Sequence, residues 1–157
     1  MPRSQRPIKM LVVEDNPGDA VLFQAFFSQT ERRTEFLHVS DGEEALQFLR
    51  RENKYPNAPR PDLIVVDINL PRIDGKEVVR EVKKDPDLHS IPVIVLTSSE
   101  NEEDIRCCYE YGANCVLIKA ADVEGAAQVF ELLEHFWVNT VRLMPDPTAS
   151  PPLMRLA

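Results

Sequence analysis

Leu63-Ile64-Val65-Val66-Asp67-Ile68-Asn69-Leu70-Pro71 is the stretch on which the fold turns. The apolar run from Leu63 is long enough for a buried strand of roughly 17 Å at ~3.3 Å per residue, and it delivers Asp67 to its own C-terminal end. A carboxylate beside an apolar core needs a reason, because an unpaired ionised group there is costly. Caps, salt bridges, metals and chemistry are the usual reasons. Asp67 alone does not decide among them.

Four other strand-like runs surround it, and three of these end in polar residues of related chemistry. Ile8 to Val13 runs into Glu14-Asp15, Ile91 to Leu96 into Thr97-Ser98-Ser99, and Cys115 to Ile118 into Lys119; Thr34 to Val39 is a weaker strand. Helical patterns separate the runs. Asn16-Pro17 caps and opens the first, with Val21, Leu22, Ala25 and Phe26 expected on its inner face. Asp41-Gly42-Glu43-Glu44 resembles a capping box ahead of Ala45, Leu46, Phe48 and Leu49. Lys76 to Lys83 presents Val78, Val79 and Val82, and Asn101 to Tyr111 ends at Gly112, suited to a left-handed stop. Asp122 caps a last helix expected to extend to about Leu143. Five strands alternating with five helices predict an α/β fold, a (βα)5 doubly wound parallel sheet of the flavodoxin-like kind. In its strand order, 2-1-3-4-5, Glu14-Asp15 and Asp67 flank the switch point where such sheets hold ligands. Thr97 and Lys119 close the other side.

With 157 residues the chain has room for one domain of ordinary size. Residues 8–144 are expected to form it, between a disordered tail at 1–7, where Arg3 and Arg6 with Lys9 form a solvated basic stretch, and a Pro-rich disordered tail at 145–157. A formal net charge of −8 gives no electrostatic support for binding nucleic acid or an anionic membrane. Cys107, Cys108 and Cys115 fit no metal spacing and no disulfide framework, so reduced thiols are expected. No leader pattern or spanning apolar run is present, and a cytoplasmic location is expected.

Three carboxylates, a hydroxyl and an ammonium at one sheet edge point to specific chemistry. A hard divalent cation such as Mg2+ relieves the repulsion among the carboxylates and leaves room for a phosphoryl oxygen. Asp67, the carboxylate on the central strand, is then the candidate nucleophile. Mg2+, Thr97 and Lys119 are placed to neutralise the three phosphoryl oxygens.

Glu14-Asp15, Asp67 followed by Leu70-Pro71 and Gly75, Leu96-Thr97-Ser98, Gly112-Ala113 and Lys119 resemble the receiver domain of bacterial two-component response regulators. The resemblance covers about residues 8 to 140. Pro59-Arg60-Pro61-Asp62-Leu63, Asp67-Ile68-Asn69-Leu70-Pro71, Asn101-Glu102-Glu103-Asp104-Ile105 and Phe136-Trp137 further resemble the single-domain regulators partnered with bacterial phytochrome histidine kinases. The resemblance implies that Asp67 takes a phosphoryl group from a kinase histidine and that Glu14 and Asp15 hold Mg2+ directly or through water. It implies the Asn69 backbone carbonyl as a further ligand, and Thr97 and Lys119 on the phosphoryl group. Two positions depart from the family pattern. Ala120 replaces the proline that usually follows the lysine through a cis bond, so a trans Lys119–Ala120 peptide is expected. Val116 replaces the aromatic switch residue, so the usual threonine–aromatic coupling has no side chain to use. Two alternatives stay open: a degenerate receiver serving only as a protein-binding module, and a phosphatase of the haloacid dehalogenase type. The latter wants an Asp where Asn69 stands.

The last helix carries two apolar stripes, one of Ala126, Phe130, Leu133, Trp137 and Val141, the other of Val129, Leu132, Phe136 and Leu143. One stripe suffices to pack on the domain. The second predicts a twofold homodimer through this helix and the fifth strand, with Val129, Leu132, Phe136 and Trp137 at the interface, as the phytochrome-linked resemblance also implies.

Overall fold

The computed structural model describes residues 6–30 and 34–145. Strands β1 (Ile8–Val13), β2 (Thr34–Val39), β3 (Leu63–Val66), β4 (Val93–Thr97) and β5 (Cys115–Ile118) form one sheet in the order β2-β1-β3-β4-β5. Every pairing is parallel. Between them run α1 (Pro17–Phe27), α2 (Gly42–Arg50), α3 (Gly75–Lys84), α4 (Glu102–Glu110) and, last, α5 (Val123–Leu133), which continues as a π-helical stretch from Glu134 to Thr140. This is the doubly wound flavodoxin-like sheet that the alternation of patterns predicts.

Short polar side chains start each helix. Asn16, Asp41, Asp74, Asn101 and Asp122 accept from the backbone N–H groups of Asp19, Glu44, Glu77, Glu103 and Gly125, which satisfies donors that a helix start otherwise leaves unpaired. All five caps follow the C-terminal ends of strands, so the loops at that edge are anchored where the candidate site lies.

The strands' alternation sends side chains to two cores. Leu11, Val13, Ile64, Val66, Val93 and Val95 meet the aliphatic faces of α2 and α3 on one side. On the other, Met10, Val12, Leu63, Val65 and Ile94 meet an aromatic cluster in which Phe23 packs on Phe27 at 5.0 Å and on Phe130 at 4.7 Å between ring centroids. Complete burial of each such side chain is worth roughly 1.5–3 kcal/mol.

Three expectations are corrected. The inner face of α1 centres on Ala20, Phe23 and Phe27; of the residues expected there, Leu22 and Phe26 pack partly on the core, while Val21 is 66% exposed and Ala25 is also outside. The helix is apolar nearly all round, so spacing alone does not choose a face; the start fixed by Asn16 and the contact with Phe130 do. The basic stretch before β1 is not simply solvated: Arg6 forks onto Asp62 at 2.6 and 2.8 Å, and Lys9 lies within β1. Arg3 and the remainder of both expected disordered tails, apart from Arg6, Pro7 and Pro145, lie outside the described residues.

The last helix is the third. Expected to run to Leu143, it leaves α geometry after Leu133 and ends at Thr140, where Val141 N–H bonds the Phe136 carbonyl at 2.8 Å, five residues back. The wider turn changes the phase of the buried line. Val138, five residues beyond Leu133, is fully buried, in place of the expected α-helical line through Trp137 and Val141. Val129 and Trp137 pack partly on the domain's own core, so the second stripe is exposed chiefly at Leu132 (62%) and Phe136 (53%).

Candidate functional site

Asp67 follows β3 directly and is still held to β1, its N–H donating to the Val13 carbonyl at 3.2 Å. Glu14 follows β1 and donates its N–H to the Val39 carbonyl at 3.1 Å, so neighbouring strand ends carry both carboxylates. Each is nearly buried, at 7% and 6% exposed. Asp15 is on the surface, yet one carboxylate oxygen from each of Glu14, Asp15 and Asp67 lies within 4.8 Å of the others. Asn69 N–H bonds Asp67 Oδ1 at 3.3 Å, which fixes the loop and orients the carboxylate. Gly75 makes this loop possible. A Cβ there would lie 1.9 Å from the Asp67 carbonyl oxygen, so a residue without a side chain is required where α3 presses on the site.

Lys119 enters from β5. Its N–H donates to the Thr97 carbonyl at 2.7 Å, and its ammonium reaches Asp67 Oδ2 at 2.9 Å, Asp19 Oδ2 at 3.1 Å and Glu14 Oε1. Burial works against the Lys119 charge, but the hydrogen bonds to Glu14 and Asp67 outweigh it and raise the ammonium above its ordinary pKa. Burial raises Glu14 too, against the pull of Lys119 and with the Asp67 charge adding to it. The Lys119–Ala120 peptide is trans, as expected from the absence of proline.

Thr97 is fully buried at the end of β4. Its Oγ1 accepts from Ser99 N–H at 3.1 Å, a bond turned toward the β4–α4 loop. The five side chains named from the sequence therefore converge on one edge, with Asn69 beside them, but the Thr97 hydroxyl is engaged elsewhere. Asp19 is the participant that sequence reasoning missed. Its position in the first turn after the Asn16 cap, facing the strand ends, is the signal that could have found it. Beneath the carboxylates lies a cavity of about 70 Å³ floored by Leu22, Phe23, Val65 and Phe130.

Three carboxylates, Glu14, Asp19 and Asp67, meet one ammonium and a fourth, Asp15, lies beside them, an excess of negative charge made wholly of oxygen donors. That donor set fits a hard divalent cation, with Glu14, Asp15 and Asp67 the residues to hold it. Among the described residues no helix is long and apolar enough to cross a membrane.

Residues 10–131 match the family model of the response regulator receiver domain. The chain is 41% identical to response regulator Rcp1 of Synechocystis sp. over 89% of its length and 95% of that protein. Among solved structures, the phosphorylated cyanobacterial phytochrome response regulator RcpA superposes with a TM-score of 0.87 at 42% identity, covering 89% of this chain and all of that one. The Mn2+-bound form of Rcp1 gives 0.86 at 40% identity, covering 88% and 100%.

Proposed function

Because this chain belongs to the response regulator receiver family, with a role in two-component signalling, we propose that Asp67 is its phosphoryl acceptor and a histidine kinase its donor. Membership of that family sets aside the dehalogenase-type alternative. The observation that carries the assignment is the placement of Asp67: a nearly buried carboxylate at a central strand end, 2.9 Å from the Lys119 ammonium and clustered with Glu14 and Asp15. An Asp67 carboxylate oxygen attacks the phosphorus of a phosphohistidine. The P–O bond to Asp67 forms as the P–N bond breaks, and the leaving imidazole nitrogen takes up a proton. Lys119 neutralises one phosphoryl oxygen, and Thr97 Oγ1, once turned inward, donates to another.

Mg2+ is the cation proposed for Glu14, Asp15, Asp67 and the Asn69 carbonyl; when bound it supplies charge neutralisation at the acceptor and the phosphoryl group. Of the similar solved structures, RcpA is a phosphorylated phytochrome response regulator and Rcp1 is a Mn2+-bound form. They support a phytochrome-type kinase as partner and a divalent metal at this site. The exposed Leu132 and Phe136 support a homodimer through the last helix and β5, with Val129 and Trp137 at its margin. Incubation with Mg2+ and acetyl phosphate, read by intact mass, tests the assignment. One acid-labile phosphoryl group on Asp67 is expected, and none on Asp67 would return the chain to a phosphorylation-independent binding module.

A further inference from the structure

The end of the sheet opposite Asp67 holds a second cavity, of about 600 Å³, and its wall is cationic. Arg6, Lys9, Arg51 and Arg60 line it against two acids, Asp62 and Asp87, in a chain whose formal net charge is −8. It lies where strands begin: Lys9 is in the first turn of chain of β1, Asp62 precedes β3 and Ile91 precedes β4. Extended chain separates Asp62 from Asp67 by roughly 17 Å at ~3.3 Å per residue, so this cavity is distinct from the site at the other edge.

The cations are not all taken up in ion pairs. Asp62 is occupied by Arg6, at 2.6 and 2.8 Å, and by the backbone N–H of Lys9 at 2.9 Å. Among the described residues, Lys9, Arg51 and Arg60 make no salt bridge. Each arginine is instead tied by one donor to a backbone carbonyl. Arg51 Nε donates to Ala58 O at 2.9 Å, and Arg60 Nη1 donates to Leu49 O at 2.9 Å. Both guanidiniums are thereby anchored while keeping further donors for a ligand. Burial and, after it, the Arg51 charge pull the Arg60 pKa below its ordinary value, and the Asp87 and Asp85 charges oppose this more weakly. An anion between the two guanidiniums relieves that repulsion, and their planar forks match phosphate oxygens. Pro59, Ile91 and Met144 add an apolar wall. The volume falls in the range of small-molecule sites, roughly 300–1,000 Å³, in which a few polar groups orient a ligand against apolar surface. A polyanion is less suited, because the cations line a cavity and the chain as a whole is negative.

We propose that this cavity is a phosphate-binding site for a small organic phosphate, with Arg51 and Arg60 on the phosphate oxygens, Lys9 adding charge, and Pro59, Ile91 and Met144 against the organic part. Inorganic phosphate is the other source of the same recognised group. The inference stands apart from Asp67 as acceptor. An occupant ties the α2–β3 connection to the α3–β4 connection and to the chain after the last helix, and a ligand held only by the folded chain stabilises it.

Isothermal titration calorimetry of the full chain in EDTA, with adenosine monophosphate, inorganic phosphate and adenosine as probes, tests the site. Without a cation the acidic cluster at Asp67 repels phosphate, so the readout belongs to the basic cavity. One adenosine monophosphate per chain is expected, with affinity reduced at least tenfold in Arg51→Gln and in Arg60→Gln and unchanged in Asp67→Asn. The bound nucleotide should also raise the melting temperature of the wild type. Adenosine monophosphate binding at least tenfold tighter than phosphate supports an organic phosphate as occupant; equal affinities keep the phosphate site and make the free ion its occupant. No binding of either at millimolar concentration, adenosine binding as tightly as its phosphate, or binding undiminished in both arginine variants overturns the inference. If Arg60→Gln fails to fold, Arg51→Gln and Lys9→Gln decide.

Discussion

The two halves of the sheet edge that carries the site are built differently. Glu14 and Asp67 stand at the ends of β1 and β3, whose positions are buried throughout save for the half-buried Lys9, and the two carboxylates are nearly buried themselves. Lys119 stands at the end of β5, an edge strand that is only half buried, with Ile118 37% exposed and the irregular last helix following it. Thr97 lies between them, its backbone in the core and its hydroxyl bonded into a loop. The side that carries the proposed acceptor is fixed by the core, whereas the Thr97 hydroxyl and the Lys119 ammonium are held by a few polar contacts. Elements that move in a response are drawn from the less stable parts of a fold, and here the division falls between β3 and β5.

The sharpest way to break the comparison is at the acceptor itself. Asp67→Asn keeps the shape of the side chain and removes the nucleophile, so acid-labile labelling from a small phosphodonor should vanish while the fold persists. Lys119 retains Glu14 and Asp19 as partners in that variant. Label appearing at full extent on another residue would move the acceptor elsewhere.

Next in size is the core that supports the responsive side from beneath. Phe130, on α5, is buried and meets Phe23 edge to face at 4.7 Å. Phe130→Ala should cost about 3–5 kcal/mol, because the rings around it relax only partly into the space left. Denaturant unfolding measures this. A loss below about 1 kcal/mol, the central value for point substitutions, would mean that the aromatic cluster does not hold α5 to the sheet.

The same division explains what was legible in the sequence. β1 and β3 announce themselves as apolar runs ending in acids, and the polar caps at Asn16, Asp41 and Asp122 announce three helix starts, so that, in the strand order of the flavodoxin-like fold, the convergence of Glu14, Asp15, Asp67, Thr97 and Lys119 is legible in the sequence. The inner face of α1 did not, because its residues are apolar on nearly every side and only tertiary contact with Phe130 selects Phe23 and Phe27. Asp19 was overlooked because an acid in a first turn is ordinary dipole complementarity until Lys119 is seen to reach it. The π-helical stretch had no sequence signal either: the 3-and-4 spacing through Trp137 and Val141 reads as regular helix, and burial of Val138 overrides it.

A smaller effect separates the carboxylates proposed to hold the metal from the rest of the site. Asp15 is exposed and, unlike Glu14 and Asp67, has no hydrogen bond to Lys119 among the described contacts, so its charge serves the cation most directly. Asp15→Asn should weaken Mg2+ binding about tenfold, ~1.4 kcal/mol, and reduce the rise in melting temperature expected of the wild type in millimolar Mg2+. A wild-type melting temperature indifferent to Mg2+ would remove the metal from this account.

The smallest effect on stability is expected where the last helix faces outward. Phe136 is 53% exposed, touches Trp137 at 5.4 Å between ring centroids, and lies beyond the point at which α5 has left regular helical geometry. Exposed side chains away from caps, cores and networks usually change folding free energy by no more than about 0.5 kcal/mol, so Phe136→Asp should leave the monomer's fold intact. Assembly is where it should act. An aromatic at the centre of a twofold patch meets its own symmetry mate's neighbourhood, and a carboxylate placed there is desolvated twice, once from each chain. Light scattering should show wild-type dimers and Phe136→Asp monomers that still take phosphate on Asp67. Val138→Asp, by contrast, would introduce a charge at a fully buried position and should unfold the end of the helix. A wild-type monomer at micromolar concentration would reject the dimer, and a Phe136→Asp protein as unstable as Val138→Asp would show that Phe136 belongs to the core rather than to a surface.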